Sequence, residues 1–277
     1  MKKKLLVLLL AIFSVVSVWS YEYDIFRYDL DAAGTGIKIK GISSSVMSWD
    51  IPKKIIIPEE IEGMPVTTIG KSAFESNKIT SEYVLPKTLK VIEDRAFFGS
   101  AIQTVVLSTD IYYGRRVYAC CDYLKEVVIP ENFGIVICGK KVVNDPWGAT
   151  VKEDQKTALD GMYEKSEQFN FASSLFEGCN GNLRKITLPN NGILSSYMFD
   201  FAGATTFNMD IKKGLSLQDS CFLNFQRLDN ITLEEGFKIS KNPDGSRANP
   251  GIGKILISNG GIKGKAKFTA MGIDEDY

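Results

Sequence analysis

The sequence predicts a β-rich solenoid built from units of about 22 residues, with a parallel sheet on one face. Two recurring patterns support this. An apolar-x-x-apolar-x-apolar motif, often followed by proline, returns along the chain, and an aromatic residue returns between successive copies. A unit this short cannot bury its own apolar face, but stacked units close each other's core. The composition agrees, because 44% of the 277 residues are apolar, enough to build a core.

The motif is clearest where Leu124, Val127 and Ile129 precede Pro130, and it returns at 183–189, 228–234 and 252–258. Weaker copies lie at 102–108 and 204–210, and two early copies keep only the ending. The positions equivalent to Pro130 are 58, 86, 108, 130, 189, 210, 234 and 258. Five of the seven spacings between them fall within 21–24 residues, which predicts one repeating unit.

The aromatic marker is preceded in most units by a small or apolar residue. Its copies are Phe74, Phe97, Tyr118, Phe176, Phe199 and Phe222. We expect these rings to fill the interior on the wall opposite the parallel sheet, with Cys121 and Cys179 as further core positions. A second short apolar pattern, as in Val66–Ile69 and Leu89–Ile92, is typical of a strand with one buried face.

Three segments carry a family resemblance. They are IPEEIEGMPVTTIGKSAF at 57–74, FEGC at 176–179 and LRKITLP at 183–189. They resemble the BspA-type leucine-rich repeats, and residues 35–41 look like that family's opening strand. The resemblance spans about residues 34–258 and implies an irregular leucine-rich-repeat array. It also implies an exported or cell-surface protein that binds other proteins, often in adhesion, and it supplies no catalytic residues.

The N-terminus has the pattern of a secretory signal peptide over residues 1–20. Three lysines precede the largely apolar run Leu5–Val18, and Val18 and Ser20 suit a cleavage site before Tyr21. The alternative is a membrane anchor, but this run is shorter than the roughly 20 residues that a spanning helix needs. We therefore expect an exported chain of bacterial type with no membrane span after cleavage. The cell surface or the extracellular space is the expected location, with the periplasm as the alternative.

The rest of the chain divides into three parts. Residues 21–53 are expected to form an N-terminal capping segment with the first strand. Residues 54–258 form the repeat array, interrupted by an insertion at about 140–173, where the motif is lost. Residues 259–277 are expected to form a C-terminal cap and an acidic tail.

Composition excludes several functions. The chain has no His, which removes Ser–His and Cys–His nucleophile pairs and every His-containing metal site. Without residues 1–20 it has 30 basic and 33 acidic groups, so a nucleic-acid partner is not expected. We also expect no cofactor and no bound metal. The five Cys form no C-x-x-C pair, and buried free thiols are the favoured interpretation.

Two places are candidate contact sites for a partner protein. Trp147 lies in the insertion, and insertions in repeat arrays emerge on one face that often binds. The alternative interpretation is that Trp147 caps the core beside the insertion. Tyr112, Tyr113, Arg115 and Arg116 are residue types enriched in interfaces, although they could equally form an ordinary exposed turn.

The leading hypothesis is a non-enzymatic exported protein that binds another protein, such as a host or cell-surface protein. One alternative is a structural envelope protein with no dedicated ligand. The other is a carbohydrate-active enzyme on a β-helix, because two carboxylates can hydrolyse glycosides without His. The acids available for that chemistry include Asp122, Glu126, Glu131, Asp210 and Glu234, but they do not recur at one aligned position.

Overall fold

The structure is a computed structural model that describes residues 21–137, 140–141, 171–203, 207–218, 220–225 and 228–234. Eighteen short strands, numbered β1 to β18 in chain order, and one 3-10 helix at Ser48–Asp50 form the regular secondary structure of this part. None of its helices has the length and apolarity needed to cross a membrane. The signal segment, the C-terminal segment from 259 and most of the insertion lie outside the described residues.

The repeating apolar motif forms one set of strands, which we call the marker strands. They are β4 (Lys54–Ile56), β7 (Glu82–Val84), β9 (Thr104–Val106), β11 (Glu126–Val128), β14 (Lys185–Thr187), β16 (Phe207–Ile211) and β18 (Leu228–Leu233). They pair in parallel as β4 with β7, as the row β9, β11 and β14, and as β16 with β18. Equivalent residues of successive repeats therefore lie side by side.

The second apolar pattern forms another set, which we call the second strands. They are β6 (Met64–Ile69), β8 (Val91–Ile92), β10 (Tyr112–Tyr113), β15 (Asn191–Leu194) and β17 (Gly214–Leu217). These also pair in parallel, as β6–β8–β10 and as β15–β17. The expected parallel sheet is thus confirmed in direction, but there are two strand sets, each divided into short sheets, where the sequence predicted one sheet.

Three antiparallel strands extend the sheet of β6, β8 and β10 at its first edge. They are β1 (Tyr21–Tyr23), β2 (Phe26–Leu30) and β3 (Ile37–Ile42), and β3 continues the sheet by pairing in parallel with β6. The remaining strands are β5 (Glu60–Ile61), which pairs with β6, and the small hairpin of β12 (Val136–Ile137) and β13 (Lys140–Lys141).

The six aromatic markers are buried, as the sequence predicted, and they also form one ladder of stacked rings. Their successive centroids lie 5.2, 5.3, 5.7, 5.3 and 5.5 Å apart, with interplanar angles of 20° or less. All six side chains are at most 3% exposed. Offset-stacked rings at this separation add attraction beyond the burial of their area, so the ladder joins each repeat to the next.

Each ring is held by a five-residue turn with an unusual backbone. The residues two before and two after the ring have positive φ, between 52° and 72°, and we call these segments the aromatic turns. Those residues are Ser72, Ser76, Arg95, Gly99, Arg116, Cys120, Ser174, Gly178, Tyr197, Phe201, Ser220 and Asn224. Ten of the twelve carry a side chain, which costs about 1–2 kcal/mol each in this left-handed conformation.

Backbone hydrogen bonds between neighbouring aromatic turns offset that cost. The N–H of each ring residue from Phe74 to Phe199 donates to the carbonyl of the residue before the next ring, at 2.7–3.0 Å. The ladder is not broken by the insertion, because Tyr118 donates to Leu175 and its ring stacks on Phe176. The N–H of Arg116 donates to Ser173, so residues 171–173, which the sequence assigned to the insertion, already lie within the stack.

The described cysteines carry free thiols, and three of the four are buried, which agrees with the favoured interpretation. Cys121 donates its S–H to the carbonyl of Phe97 at 3.2 Å, and Cys179 donates to that of Tyr118 at 3.1 Å. Each thiol therefore bonds to the aromatic turn of the preceding repeat. Cys138 lies outside the described residues.

The stack predicts a large cost for removing one ring. Phe97→Ala should lower the free energy of unfolding by about 3–5 kcal/mol, because the ring is fully buried between Phe74 and Tyr118. The matched control is Phe98→Ala, since Phe98 is only half-buried and covered by the Arg95 guanidinium. Urea unfolding of both variants is the measurement, and a loss below about 0.5 kcal/mol for Phe97→Ala would contradict the ladder.

Candidate functional site

The exposed side of the marker strands is the most regular surface of the described chain, and we call it the marker face. Side chains of a strand alternate between its two faces. The central residue of each three-residue marker strand, such as Ile55 or Val127, points into the core, so the first and third residues point outward. Parallel pairing then aligns the outward residues within the β4–β7 pair and within the three strands β9, β11 and β14, and in chain order these residues form two series, which we call rows.

The first row is polar. It runs Lys54, Glu82, Thr104, Glu126 and Lys185. Lys54 forms an ion pair with Glu82 at 2.6 Å, and Lys185 forms one with Glu126. The two acids therefore flank Thr104, and the two lysines lie at the outer ends of the row. Exposed pairs like these add little stability, but they give the surface an ordered charge pattern.

The second row is apolar over four of its five positions. It runs Ile56, Val84, Val106, Val128 and Thr187. Ile56 and Val106 are each 64% exposed and Val84 is 39% exposed. Scattered apolar residues are ordinary on protein surfaces, but an aligned apolar row rimmed by charges marks an interaction surface.

Three of the five acids of the alternative enzyme hypothesis, Glu126, Glu131 and Glu234, make structural contacts. Glu131 accepts hydrogen bonds from the backbone N–H groups of Asn190 and Asn191 at 2.8 and 3.0 Å. These bonds lower the pKa of its carboxyl. Glu234 accepts from the N–H of Lys213, and Glu126 pairs with a lysine. In the described part of the chain, no group of three or more Cys, Asp or Glu side chains could hold a metal ion.

The structure corrects two of the predicted contact residues. Tyr112 and Tyr113 form β10, where they are only 5% and 0% exposed. Tyr113 packs against Phe133, and its hydroxyl accepts a hydrogen bond from the N–H of Ser108 at 2.9 Å. Two neighbouring strand residues were expected to alternate in exposure. Here the core continues on both sides of this short strand, so neither ring can serve as a surface contact.

Arg115 and Arg116 follow that strand and lie nearer the surface. The Arg116 guanidinium bonds to both carboxylate oxygens of Glu177, with Nε 2.9 Å from Oε2. It thereby joins the aromatic turns on the two sides of the insertion. Arg115 is exposed, so its side chain remains a candidate contact. Trp147 lies outside the described residues.

The marker face was not identified as a site from the sequence, because its residues occupy the x positions of the apolar-x-x-apolar-x-apolar motif, which the motif leaves undefined. The signal was present in the sequence: the motif leaves Ile56, Val84, Val106 and Val128 at one repeat position. Only the pairing of the strands shows that this position points outward and that its members lie next to each other.

One carboxyl on the opposite side of the molecule is buried without a cation. Asp200, in the fifth aromatic turn, is 8% exposed, and its Oδ1 accepts a hydrogen bond from the Asn224 side chain at 3.1 Å. Removal from water raises the pKa of this carboxyl, and the nearby Glu177 adds to the shift. The ionised form is therefore less stable in the folded chain than in the unfolded chain.

The sequence was compared with family models and with known proteins. The family model for the BspA type leucine rich repeat region matches in six copies over residues 41–139 and 164–245. This match covers more than half of the chain, so the chain belongs to that family. No curated protein matches its sequence.

Three solved structures are similar at low identity. The Treponema pallidum leucine rich repeat protein is 17% identical, with a TM-score of 0.32 over 65% of this chain and 90% of that one. A leucine-rich repeat protein from Bacteroides ovatus is 14% identical, with a TM-score of 0.27 over 78% and 71%. A leucine rich cell surface protein from Faecalibacterium prausnitzii is 11% identical, with a TM-score of 0.20 over 79% and 95%. The family assignment rests on the sequence match.

Burial of Asp200 predicts a pH-dependent gain in stability on neutralisation. A carboxyl with a raised folded-state pKa costs nothing below its ordinary value of about 3.8, and the cost develops as the pH rises through the raised pKa. Asp200→Asn should therefore increase the free energy of unfolding at pH 7, and the gain should vanish towards pH 3. Urea unfolding across this range measures it, and an equal gain at both pH values would show that ionisation is not the cause.

Proposed function

We propose that this chain is an exported, non-enzymatic protein that binds another protein at the cell surface, and that the marker face is its contact surface. The carrying observation is the repeated exposure of Ile56, Val84 and Val106 at one outward position of the marker strands, beside a row of paired charges. A soluble exported chain gains nothing from keeping these apolar side chains in water unless a partner covers them.

The chemistry of the two rows suits protein binding. β-branched side chains have restricted rotamers, so burying them under a partner costs little conformational entropy. The neighbouring charges form a polar rim, which gives orientation and specificity more than affinity. The ion pairs Lys54–Glu82 and Lys185–Glu126 hold that rim in a fixed pattern.

The two strand sets support a solenoid architecture for the whole repeat region. The aromatic ladder relates each of its repeats to the next by the same ring contact, and parallel pairing adds strand contacts at most of these junctions. We propose that these short sheets belong to one solenoid running through residues 54–258. Such an array would present its marker strands as one extended surface.

Export and surface location are supported by two separate observations. The first is the lysine-rich, apolar N-terminal segment with its cleavage pattern before Tyr21. The second is membership of the BspA-type family, whose repeats generally mediate protein interactions. One similar structure is named as a cell surface protein, and that description applies to the Faecalibacterium protein itself.

The ion pairs and hydrogen bonds of three candidate acids argue against the enzyme alternative. Glu126, Glu131 and Glu234 each hold a lysine or a backbone N–H of a neighbouring repeat. A carboxylate engaged in this way is not free to act as a nucleophile or as a proton donor. The structural-envelope alternative does not account for the exposed apolar row, and it predicts no partner.

Location is tested by protease treatment of intact cells followed by detection of this chain. Loss of the chain while a periplasmic control protein survives is the expected result, because a surface protein is accessible to the protease. Protection until the envelope is opened would place the protein in the periplasm and would rule out adhesion.

The contact surface is tested by placing charges in the apolar row. Val106→Lys combined with Ile56→Lys should reduce binding to intact cells and to immobilised extracellular-matrix proteins at least tenfold, because a partner would have to bury both ammonium groups. The control is Trp49→Lys, since Trp49 is 79% exposed but lies outside the marker strands. If both proteins bind like the wild type while remaining folded, the marker face is not the contact surface.

A further inference from the structure

The marker face has an opening between β7 and β9. A cavity of about 560 Å³ lies there, in the size range of ligand pockets. Its wall includes Tyr83 and the adjoining Leu85 on one side and Thr104 to Val106 on the other. Its floor is closed by the Phe97 and Tyr118 rings of the aromatic ladder, which lie beneath the surface and are at most 3% exposed. We call this opening the slot.

The slot exists because two regular backbone hydrogen bonds are missing at this junction. At the β4–β7 and β9–β11 junctions, the first residue of the later strand donates its N–H to a carbonyl beside the earlier strand. Glu82 donates to the carbonyl of Lys53, and Glu126 donates to that of Gln103. At the slot, Gln103 still donates to Ser81 at 3.1 Å, but Thr104 has no such bond among the backbone bonds of the described chain.

The second missing bond is at the other end of the strands. Ile57 donates to Val84, Leu107 to Val128 and Ile129 to Thr187, at 2.9–3.0 Å. The equivalent bond from Leu85 to Val106 is missing among the described residues. The strands therefore meet at Gln103 and diverge beyond it, and they leave the N–H groups of Thr104 and Leu85 and the carbonyl of Val106 facing the slot.

The side chain of Tyr83 accounts for the divergence. The inward central position of the neighbouring marker strands carries an aliphatic residue, such as Ile55, Val105 or Val127. Tyr83 instead places a ring 5.0 Å from Phe74 and 4.9 Å from Phe97, and its hydroxyl accepts from the Asn77 side chain at 2.8 Å. This larger group holds β7 away from β9.

Free strand edges beside an apolar floor are suited to an extended peptide. We propose that the slot binds a short extended segment of a partner protein, parallel to the marker strands, whose backbone bonds to the free groups of Leu85, Thr104 and Val106. This deepens the proposed function, since the slot opens on the marker face, and it names the kind of partner segment that this face takes.

The side chains around the slot define the segment's sequence. Its first outward residue lies beside Glu82 and Thr104, with Glu126 on the next strand. Both acids are paired with lysines at the outer ends of the row, which leaves their carboxylates as the nearest charges to this position, so a lysine suits it better than an acid. The segment's second residue points inward onto the Phe97 and Tyr118 rings and is apolar. Its third points outward between Val84 and Val106 and is also apolar. The favoured segment is therefore lysine followed by two apolar residues.

The test uses two capped pentapeptides, Thr-Lys-Val-Val-Thr and Thr-Glu-Val-Val-Thr, titrated calorimetrically into the full chain. The lysine peptide should bind at least tenfold more tightly than the glutamate peptide. Thr104→Pro removes one free N–H without breaking a bond of the protein, and it should weaken the lysine peptide at least tenfold. The control is Tyr123→Ala, since Tyr123 is 50% exposed and lies outside the slot.

Two further measurements keep the inference falsifiable if Thr104→Pro does not fold. A lysine peptide with its central amide replaced by an ester should bind at least tenfold more weakly to the wild-type chain, because one backbone bond is lost. The amide protons of Thr104 and Leu85 should exchange quickly in the free chain and slowly with the peptide. Slow exchange without peptide, or protection that rises with protein concentration, would overturn the inference in favour of a closed sheet or a second copy.

The outcomes separate this inference from the proposed function. If the lysine peptide fails to bind while the marker-face variants still lose cell binding, the slot inference is wrong and the proposed function stands. If the peptide binds but protease treatment leaves the chain intact on whole cells, the slot is a peptide site in a protein that is not at the surface.

Discussion

The stacking of the aromatic turns is the interaction on which the rest of the structure depends. Each of the four inner rings lies between two others, and the first five turns each donate N–H groups to the next turn. The contact is local to neighbouring repeats, as expected for a linear array. It sets the spacing of the chain on one wall, and the two strand sets on the other walls follow that spacing. The left-handed residues of the turns are tolerated because many hydrogen bonds and ring contacts hold them in place.

This arrangement explains how the chain accommodates irregular repeats. The segment between Tyr118 and Phe176 is far longer than one unit, yet the two rings stack at 5.7 Å and β11 pairs directly with β14. The contacts between Tyr118 and Phe176 and between β11 and β14 therefore hold the chain together on the two sides of the insertion. The bond between Arg116 and Glu177 closes the turn on both sides of that departure. The entropy cost of closing a loop rises only slowly with its length, so a long insertion at this junction costs little more than a short one.

The marker face is the other consequence of strict stacking. One repeat contributes a single outward apolar residue, which has no significance alone, but four repeats place such a residue at the same outward position, with one gap between β7 and β9. Comparison of equivalent positions also identifies an irregular residue, because β7 has Tyr83 at the central position where the neighbouring strands have Ile55 and Val105. Its ring fills the core but separates two strands. A single departure from the repeat therefore changes a uniform surface into one with a distinct recognition point.

The repeat length, the marker strands, the six ring positions and the core role of Cys121 and Cys179 could be predicted from the sequence, because apolar periodicity reports burial directly. The tertiary structure decided what periodicity cannot express. No glycine or asparagine marks Arg95, Arg116 or Tyr197 as left-handed, and the stack alone imposes that conformation. Tyr112 and Tyr113 looked like surface residues, but a core that continues on both sides buried them. The marker face and the slot depend on which strands pair and which do not, and that is a property of contacts between distant residues.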